Sequence, residues 1–415
     1  MTAPRVNDAR LHQSLDEMAQ IGATPGGGVT RLALSPEDKA GRDLLRQWME
    51  EANLRVRVDD FGNMIGERAG EEDLPPLLLA SHLDSVRQGG RYDGAYGVLG
   101  ALEVIRSLND HQRRTRHPVA VVNWTNEEGV RFEPAMLCSG AIAGRFERDY
   151  VYGRTDRDGH RFEDELRRIG YAGEEGARPT RAAGYLELHI EQGPILESEE
   201  IPVGIVQGIV GITWLDICLT GRADHAGPSP MALRRDALVA AAKLVTGVDA
   251  IARATEGAVG TVGRLNVEPN SINTIPGQVV MSVDFRHPSS DVLEALVQQL
   301  RQSAAAIEAA SGVTIAIDRF WTSEPTPFDS GVLAAVEAAA NTLEIATRPL
   351  WSSAGHDAKY LQEICPAAMI FVRSRDGLSH CETEFSTLED LAAGANVLLG
   401  ATLQLAGAVS SSETG

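Results

Sequence analysis

Two short, almost wholly apolar runs, residues 77–81 and 119–124, each stop abruptly at a polar cluster. Ser81-His82-Leu83-Asp84-Ser85 closes the first and Thr125-Asn126-Glu127-Glu128 follows the second. A strand without a polar face must be covered on both sides, which places these runs inside a central sheet flanked by helices. Apolar residues at helical spacing over 98–108 lie between them, so the order is βαβ and the first half is α/β. The polar clusters then fall at strand ends, where open α/β sheets bind ligands. Upstream, Ser35-Pro36-Glu37-Asp38 signals a helix start running to about residue 52, and 55–60 and 64–68 read as a hairpin around Phe61-Gly62-Asn63.

Between about 211 and 322 the pattern changes to strand 212–219, helix 231–251, strands 260–267 and 279–285, helix 290–310 and strand 314–320. The order βαββαβ is the split ferredoxin-like arrangement, which closes a small domain by itself. After Pro325-Thr326-Pro327 the α/β pattern resumes with helix 330–342, strand 368–373 and helix 388–405. The expected architecture is a discontinuous α/β domain, residues 1–211 and 325–415, interrupted by a ferredoxin-like domain at 212–324. Only the Ser410–Ser412 tail is of low complexity, and it is expected to fray.

Composition excludes several function classes. The 415 residues carry a formal charge of −20, which repels phosphate backbones and argues against nucleic acid or an anionic membrane as partner. The longest apolar runs, 77–80 and 237–242, fall far short of the roughly 20 residues of a membrane span. Cys138, Cys218, Cys365 and Cys381 are scattered without a CxxC pair, and residues 1–20 contain no apolar signal segment. A cytoplasmic location is the expectation.

Of the ten histidines, His12, His111, His117 and His160 sit in charged, loop-like surroundings and read as surface residues. The others keep company with acids and glycines. His82 ends a buried strand in position to ligate a metal, with Asp84 two residues on to orient its ring. Asp93 lies in Gly89-Gly90-Arg91-Tyr92-Asp93-Gly94, where a carboxylate can bridge two cations. Glu127 and Glu128 repel each other unless their roles divide, one ligating metal and the other serving as general base. Glu187, His189 and Glu191 share one face of an alternating strand, and His380 follows the strand at 368–373. Mixed nitrogen and oxygen ligands shared by two metals suit Zn²⁺, Mn²⁺, Co²⁺ or Ni²⁺ and disfavour Ca²⁺ or an iron–sulfur cluster.

In this order, His82-x-Asp84, Tyr92-Asp93-Gly94, Asn126-Glu127-Glu128-Gly129, His189-Ile-Glu-Gln192-Gly, His225-Ala-Gly, Asn273-x-Ile-Pro-Gly, Asp284-Phe-Arg286-His, Gly355-His356-Asp357 and Ser379-His380 resemble a known family. It is the N-carbamoyl-L-amino-acid amidohydrolase, allantoate amidohydrolase and β-ureidopropionase group of the dinuclear aminoacylase/metallopeptidase superfamily. The resemblance spans roughly residues 26–405. It implies two divalent metal ions per subunit, Asp93 bridging, His82 and His189 on one ion, and Glu128 and His380 on the other. It further implies Glu127 as general base and His225 as oxyanion donor. Gln192, Asn273, Arg286, Gly355 and His356 are implied as substrate contacts, with Arg286 gripping a carboxylate through paired hydrogen bonds. The inserted domain is implied to act as lid and dimerisation surface, making a homodimer.

The expected reaction is hydrolysis of the ureido C–N bond of an N-carbamoyl-L-amino acid to amino acid, ammonia and carbon dioxide. Alternatives are allantoate amidohydrolase or β-ureidopropionase, then an aminoacylase or dipeptidase, and, outside enzymes, a two-domain ligand-binding protein. Within the group, residues 26–32, 201–206, 233–236 and 369–374 resemble the carbamoylase branch. Ser353 and Cys381-Glu382-Thr383 depart from the family pattern beside the expected site.

Overall fold

The computed structural model describes residues 3–409, so the Ser410–Ser412 tail lies outside the described residues. The chain forms two compact units, one of residues up to Gln207 and from Phe328 onward, the other Gly208–Pro327.

The first unit is built on a mixed sheet. Its strands run in the order Arg55–Val58, Met64–Arg68, Val119–Trp124, Leu77–His82, Gly184–Ile190, Ala367–Val372 and Val203–Ile209. The four strands from Val119–Trp124 to Ala367–Val372 are mutually parallel, and the Met64–Arg68 and Val203–Ile209 neighbours are antiparallel to them. Every residue of the four parallel strands is buried, the polar Ser81, His82, Asn123, Glu187 and His189 included, as strands covered on both faces require. Helix Ala95–Asp110 packs on three of them and against the C-terminal helix Leu388–Leu405. Helix starts are written locally. Ser35 caps Pro36–Glu51 by accepting the Asp38 N–H, and Thr387 caps Leu388–Leu405 by accepting the Asp390 N–H. Each such cap is worth about 1 kcal/mol.

The second unit is a four-stranded antiparallel sheet in the order Val259–Glu268, Gln278–His287, Gly211–Thr220, Thr314–Ser323. Together with helices Ala237–Arg253 and Ser290–Ser311 it follows the βαββαβ plan. Burial alternates along Gly211–Thr220, so Leu215, Ile217 and Leu219 face the helices and meet Leu244, Val248, Leu296 and Leu300 in one apolar cluster. One sequence expectation needs correction here. The helix predicted from residue 231 begins at Ala237, because the Asp236 carboxylate accepts the Leu238 and Val239 N–H groups and sets the N-terminus there. Met231–Leu233 is a separate single turn.

Candidate metal-binding active site

Parallel pairing brings the chemistry to one edge of the sheet. In register, His82 stands opposite Trp124 and His189 opposite Phe371, so the residues after each strand emerge on the same side. Asp93 arrives from the turn before helix Ala95–Asp110. The following residue, Gly94, has a φ of +63° and faces the His82 ring so closely that a Cβ would overlap it. Only glycine meets both demands.

His82, Asp93, Glu127, Glu128, His189, Gln192, Gly355, His356 and His380 line one cavity of about 520 Å³, with Ala135, Met136 and Leu378 supplying apolar wall. Asp93 Oδ1 lies 3.5 Å from His82 Nε2 and 3.2 Å from His189 Nε2. Asp93 Oδ2 lies 3.4 Å from His380 Nε2, which lies 3.4 Å from Glu128 Oε2. The donors thus form two clusters sharing Asp93: His82, Asp93 and His189, and Asp93, Glu128 and His380. Glu127 Oε2 is 3.6 Å from His82 Nε2.

Ring orientation tests whether these residues suit cations. His82 Nδ1 is 2.8 Å from the Asp84 carbonyl and His189 Nδ1 is 2.9 Å from the Ile190 carbonyl. A carbonyl only accepts, so each Nδ1 carries a proton and each ring turns its Nε2 toward Asp93. The Gly94 N–H donates to His189 Nε2, consistent with that tautomer. An Nε2 facing carboxylate oxygens needs positive charge between them, a second proton or a cation, and this mix of imidazole and carboxylate donors fits divalent metal.

The electrostatics agree. Burial pushes Glu127 well above the ordinary carboxylate range, helped by the charges of Asp357, Glu128 and Asp84. Burial and Asp93 do the same to Glu128. Burial would raise Asp93 too, but His189 and His82 hold it well below. For His82 burial works downward and is outweighed by Glu127, Asp93 and Asp84, leaving its pKa well above the imidazole value. So many buried acids beside so few bases form a site that positive charge stabilises.

Asp84 acts differently from the expectation. Its main-chain carbonyl, and not its carboxylate, orients the His82 ring, because the carboxylate accepts the Glu127 and Glu128 N–H groups at 3.2 and 3.3 Å. It thereby fixes the loop that presents both glutamates. Gln192, with a φ of +56°, donates from Nε2 to Asp93 Oδ2 at 2.7 Å. His356 Nε2 meets Ser352 Oγ at 3.0 Å, and its ring centroid lies 4.6 Å from that of His189. Burial, with His189 close by, holds His356 well below the usual imidazole range, so it stays neutral. Glu191 is diverted to cap the turn Ile195–Ser198, accepting the Ile195 and Leu196 N–H groups.

Three of the expected residues belong to the second unit. His225 and Thr274 are paired across a two-stranded ribbon, and the Ala226 N–H donates to the Asn273 carbonyl, so His225 and Asn273 are neighbours. The Gly227 N–H donates to His225 Nδ1, which leaves the neutral ring's proton on Nε2 as an outward donor. Arg286, on strand Gln278–His287, is paired with Asp284 through Nε and Nη2 at 2.8–3.2 Å.

Sequence reasoning assigned no role to Glu384, Ser379 or Asp357. Glu384 is buried and accepts the Tyr92 and Asp93 N–H groups, and Asp357 accepts the Ser139 hydroxyl. The available signal for Glu384 was an acid four residues beyond a candidate ligand, too common a pattern to single out. Among the described residues a third grouping, Asp156, Asp158 and His160, is also near enough to chelate. There the Asp156 carboxylate is already engaged by the N–H groups of Asp158 and His160 and by Arg131.

Residues 78–404 match the family model Peptidase family M20/M25/M40. An N-carbamoyl-L-amino-acid amidohydrolase of Rhizobium meliloti is 42% identical over 412 residues, 98% of this chain and 99% of that protein. The allantoate amidohydrolase of Escherichia coli is 33% identical over 400 residues, 95% and 97% of the two chains. The crystal structure of an amidase of the hydantoinase/carbamoylase family from Burkholderia multivorans superposes with a TM-score of 0.93 at 49% identity, over 97% of this chain and 98% of that one.

Proposed function

Because this chain belongs to peptidase family M20/M25/M40, within its group of N-carbamoyl-L-amino-acid and allantoate amidohydrolases, we propose that it hydrolyses the ureido C–N bond of N-carbamoyl-L-amino acids. It is a hydrolase acting on C–N bonds. The observation that supports this reading best is the convergence of two three-residue donor clusters on Asp93 with Glu127 beside them. His82, Asp93 and His189 would hold one divalent cation, and Asp93, Glu128 and His380 another. When bound, such a pair supplies Lewis acidity that polarises a carbonyl and acidifies water.

The chain's own groups do the rest. Glu127, held in place through the Asp84 carboxylate, takes the proton of the attacking water at Oε2 and passes it to the leaving nitrogen. The neutral His225 Nε2–H donates to the developing oxyanion, Asn273 and Gln192 recognise the ureido amide, and Arg286 grips the α-carboxylate. Gly355 and His356 complete the substrate contacts. For Arg286 the grip means exchanging Asp284 for substrate. The same reading makes residues 212–324 a lid and dimerisation domain and the protein a cytoplasmic homodimer. The four cysteines are free thiols, as a reducing compartment favours.

Purified protein stripped by a chelator and reloaded with Zn²⁺, Mn²⁺, Co²⁺ or Ni²⁺ tests the proposal. A panel of N-carbamoyl, N-formyl and N-acetyl L- and D-amino acids, with allantoate and β-ureidopropionate, should show the highest kcat/KM on an N-carbamoyl-L-amino acid and none without metal. Full activity of the stripped protein, or preference for allantoate, sinks it. Glu127→Gln should retain its metal and lose about 10²–10⁴-fold in kcat.

A further inference from the structure

One buried carboxylate outside both ligand sets ties together the two loops that meet at the second cluster. Glu384 is 3% exposed. Its Oε1 accepts the N–H of Tyr92 at 2.9 Å and of Asp93 at 3.1 Å, and its Oε2 lies 2.9 Å from Ser379 Oγ. The same hydroxyl is 2.9 Å from Asp93 Oδ2. From the loop that carries His380, Glu384 thus reaches the main chain of Asp93, and Ser379 reaches its side chain. The glycine at position 90 makes the approach possible, because a Cβ there would overlap the Glu384 carboxyl group.

His380 has little other support. Its φ is +56°, and its side chain is 53% exposed. Two residues on, Glu382 is bonded by the Thr24 hydroxyl and fills space that a Cβ on Gly26 or Gly28 would occupy. Side chains two and four positions downstream therefore anchor a histidine that no strand carries.

We infer that Glu384 is a positioning residue for the second cation cluster, locking the Asp93 main chain to the His380 loop so that Asp93, Glu128 and His380 converge, with Gly90 as the opening that admits it. The inference rests on the reading that cations occupy both clusters. Removing outer partners of metal ligands typically costs 10–100-fold in affinity. The first cluster is less exposed to that loss, since both its histidines are oriented by main-chain carbonyls.

Calorimetric titration of the full-length, chelator-stripped protein with Zn²⁺ provides the test. Wild type should take up two equivalents. Glu384→Ala should weaken one equivalent about 10–100-fold and the other at least tenfold less, whereas Glu384→Gln, which keeps the Oε1 acceptor, should recover most of the affinity. Gly90→Ala displaces the carboxylate from the opposite side. It should reproduce the selective loss and add nothing in a Glu384→Ala background, a non-additivity that a general loss of stability does not produce. Equal weakening of both equivalents, or none, in folded Glu384→Ala or Gly90→Ala overturns the assignment. A wild type that never takes up a second equivalent removes the two-cation reading and the assignment with it. Two wild-type equivalents without selective loss in the variants remove the assignment alone.

Discussion

The two donor clusters share Asp93 and differ in almost everything else. His82 and His189 stand in parallel strands, with side chains 2% and 1% exposed and rings aimed by carbonyls of their own segments. His380 lies on a loop, 53% exposed and left-handed in backbone, and Glu128 is reached through a turn held by Asp84. A strand-borne ligand inherits its position from the hydrogen-bond ladder of the whole sheet. A loop-borne ligand needs dedicated side chains to hold it, and those are single points of failure.

Asp93→Ala should have the largest effect, since it removes the one group common to both clusters: elemental analysis should find no tightly held metal and assays no turnover. Retention of one equivalent would show that His82 and His189 suffice without it. Next, His82→Ala and His380→Ala should separate the halves. Each is expected to lose one equivalent, but His82→Ala should also lower the melting temperature, because it opens a cavity in a buried strand. His380→Ala should leave the melting temperature of the metal-free protein within a degree or two. Equal melting shifts would erase the distinction between strand-borne and loop-borne ligands. A smaller effect is expected from Asp84→Asn, which keeps the carbonyl that aims His82 but loses an acceptor for the Glu127–Glu128 turn. A buried N–H left unsatisfied costs about 1–3 kcal/mol, so kcat should fall roughly 5- to 150-fold while the first equivalent binds as before. Cys381→Ser marks the lower end. Among the described residues its thiol has one hydrogen-bond partner, the Thr383 hydroxyl 3.4 Å away, so kcat/KM should stay within about twofold of wild type.

Legibility in the sequence followed the same division. The buried runs 77–81 and 119–124 and the βαββαβ order of an inserted unit, expected at 212–324, could be read because period, length and polar boundaries are local properties. His82, Asp93, Glu127, Glu128, His189 and His380 stood out as candidates because they coincide with strand ends or glycine-rich turns, and the structure gathers them about one cavity, although their grouping into one constellation relied on resemblance as much as on spacing. Glu384 and Ser379 were not legible, since their partners Tyr92 and Asp93 lie almost three hundred positions away. The helix start at Ala237 was missed by six residues because helical apolar spacing extends upstream of the Asp236 cap.

By itself, then, the sequence determined which segments become strands and helices and which residue types are available at their ends, because burial pattern and capping act over a few neighbouring positions. Tertiary structure alone decided which acid faces which base. It turned the Asp84 carboxylate away from His82 toward the glutamate turn, and it brought the Glu384 carboxylate through the opening at Gly90 to the Asp93 main chain. Such choices depend on which loops the parallel strands bring to one sheet edge, and that is settled only when strands distant in the chain pair.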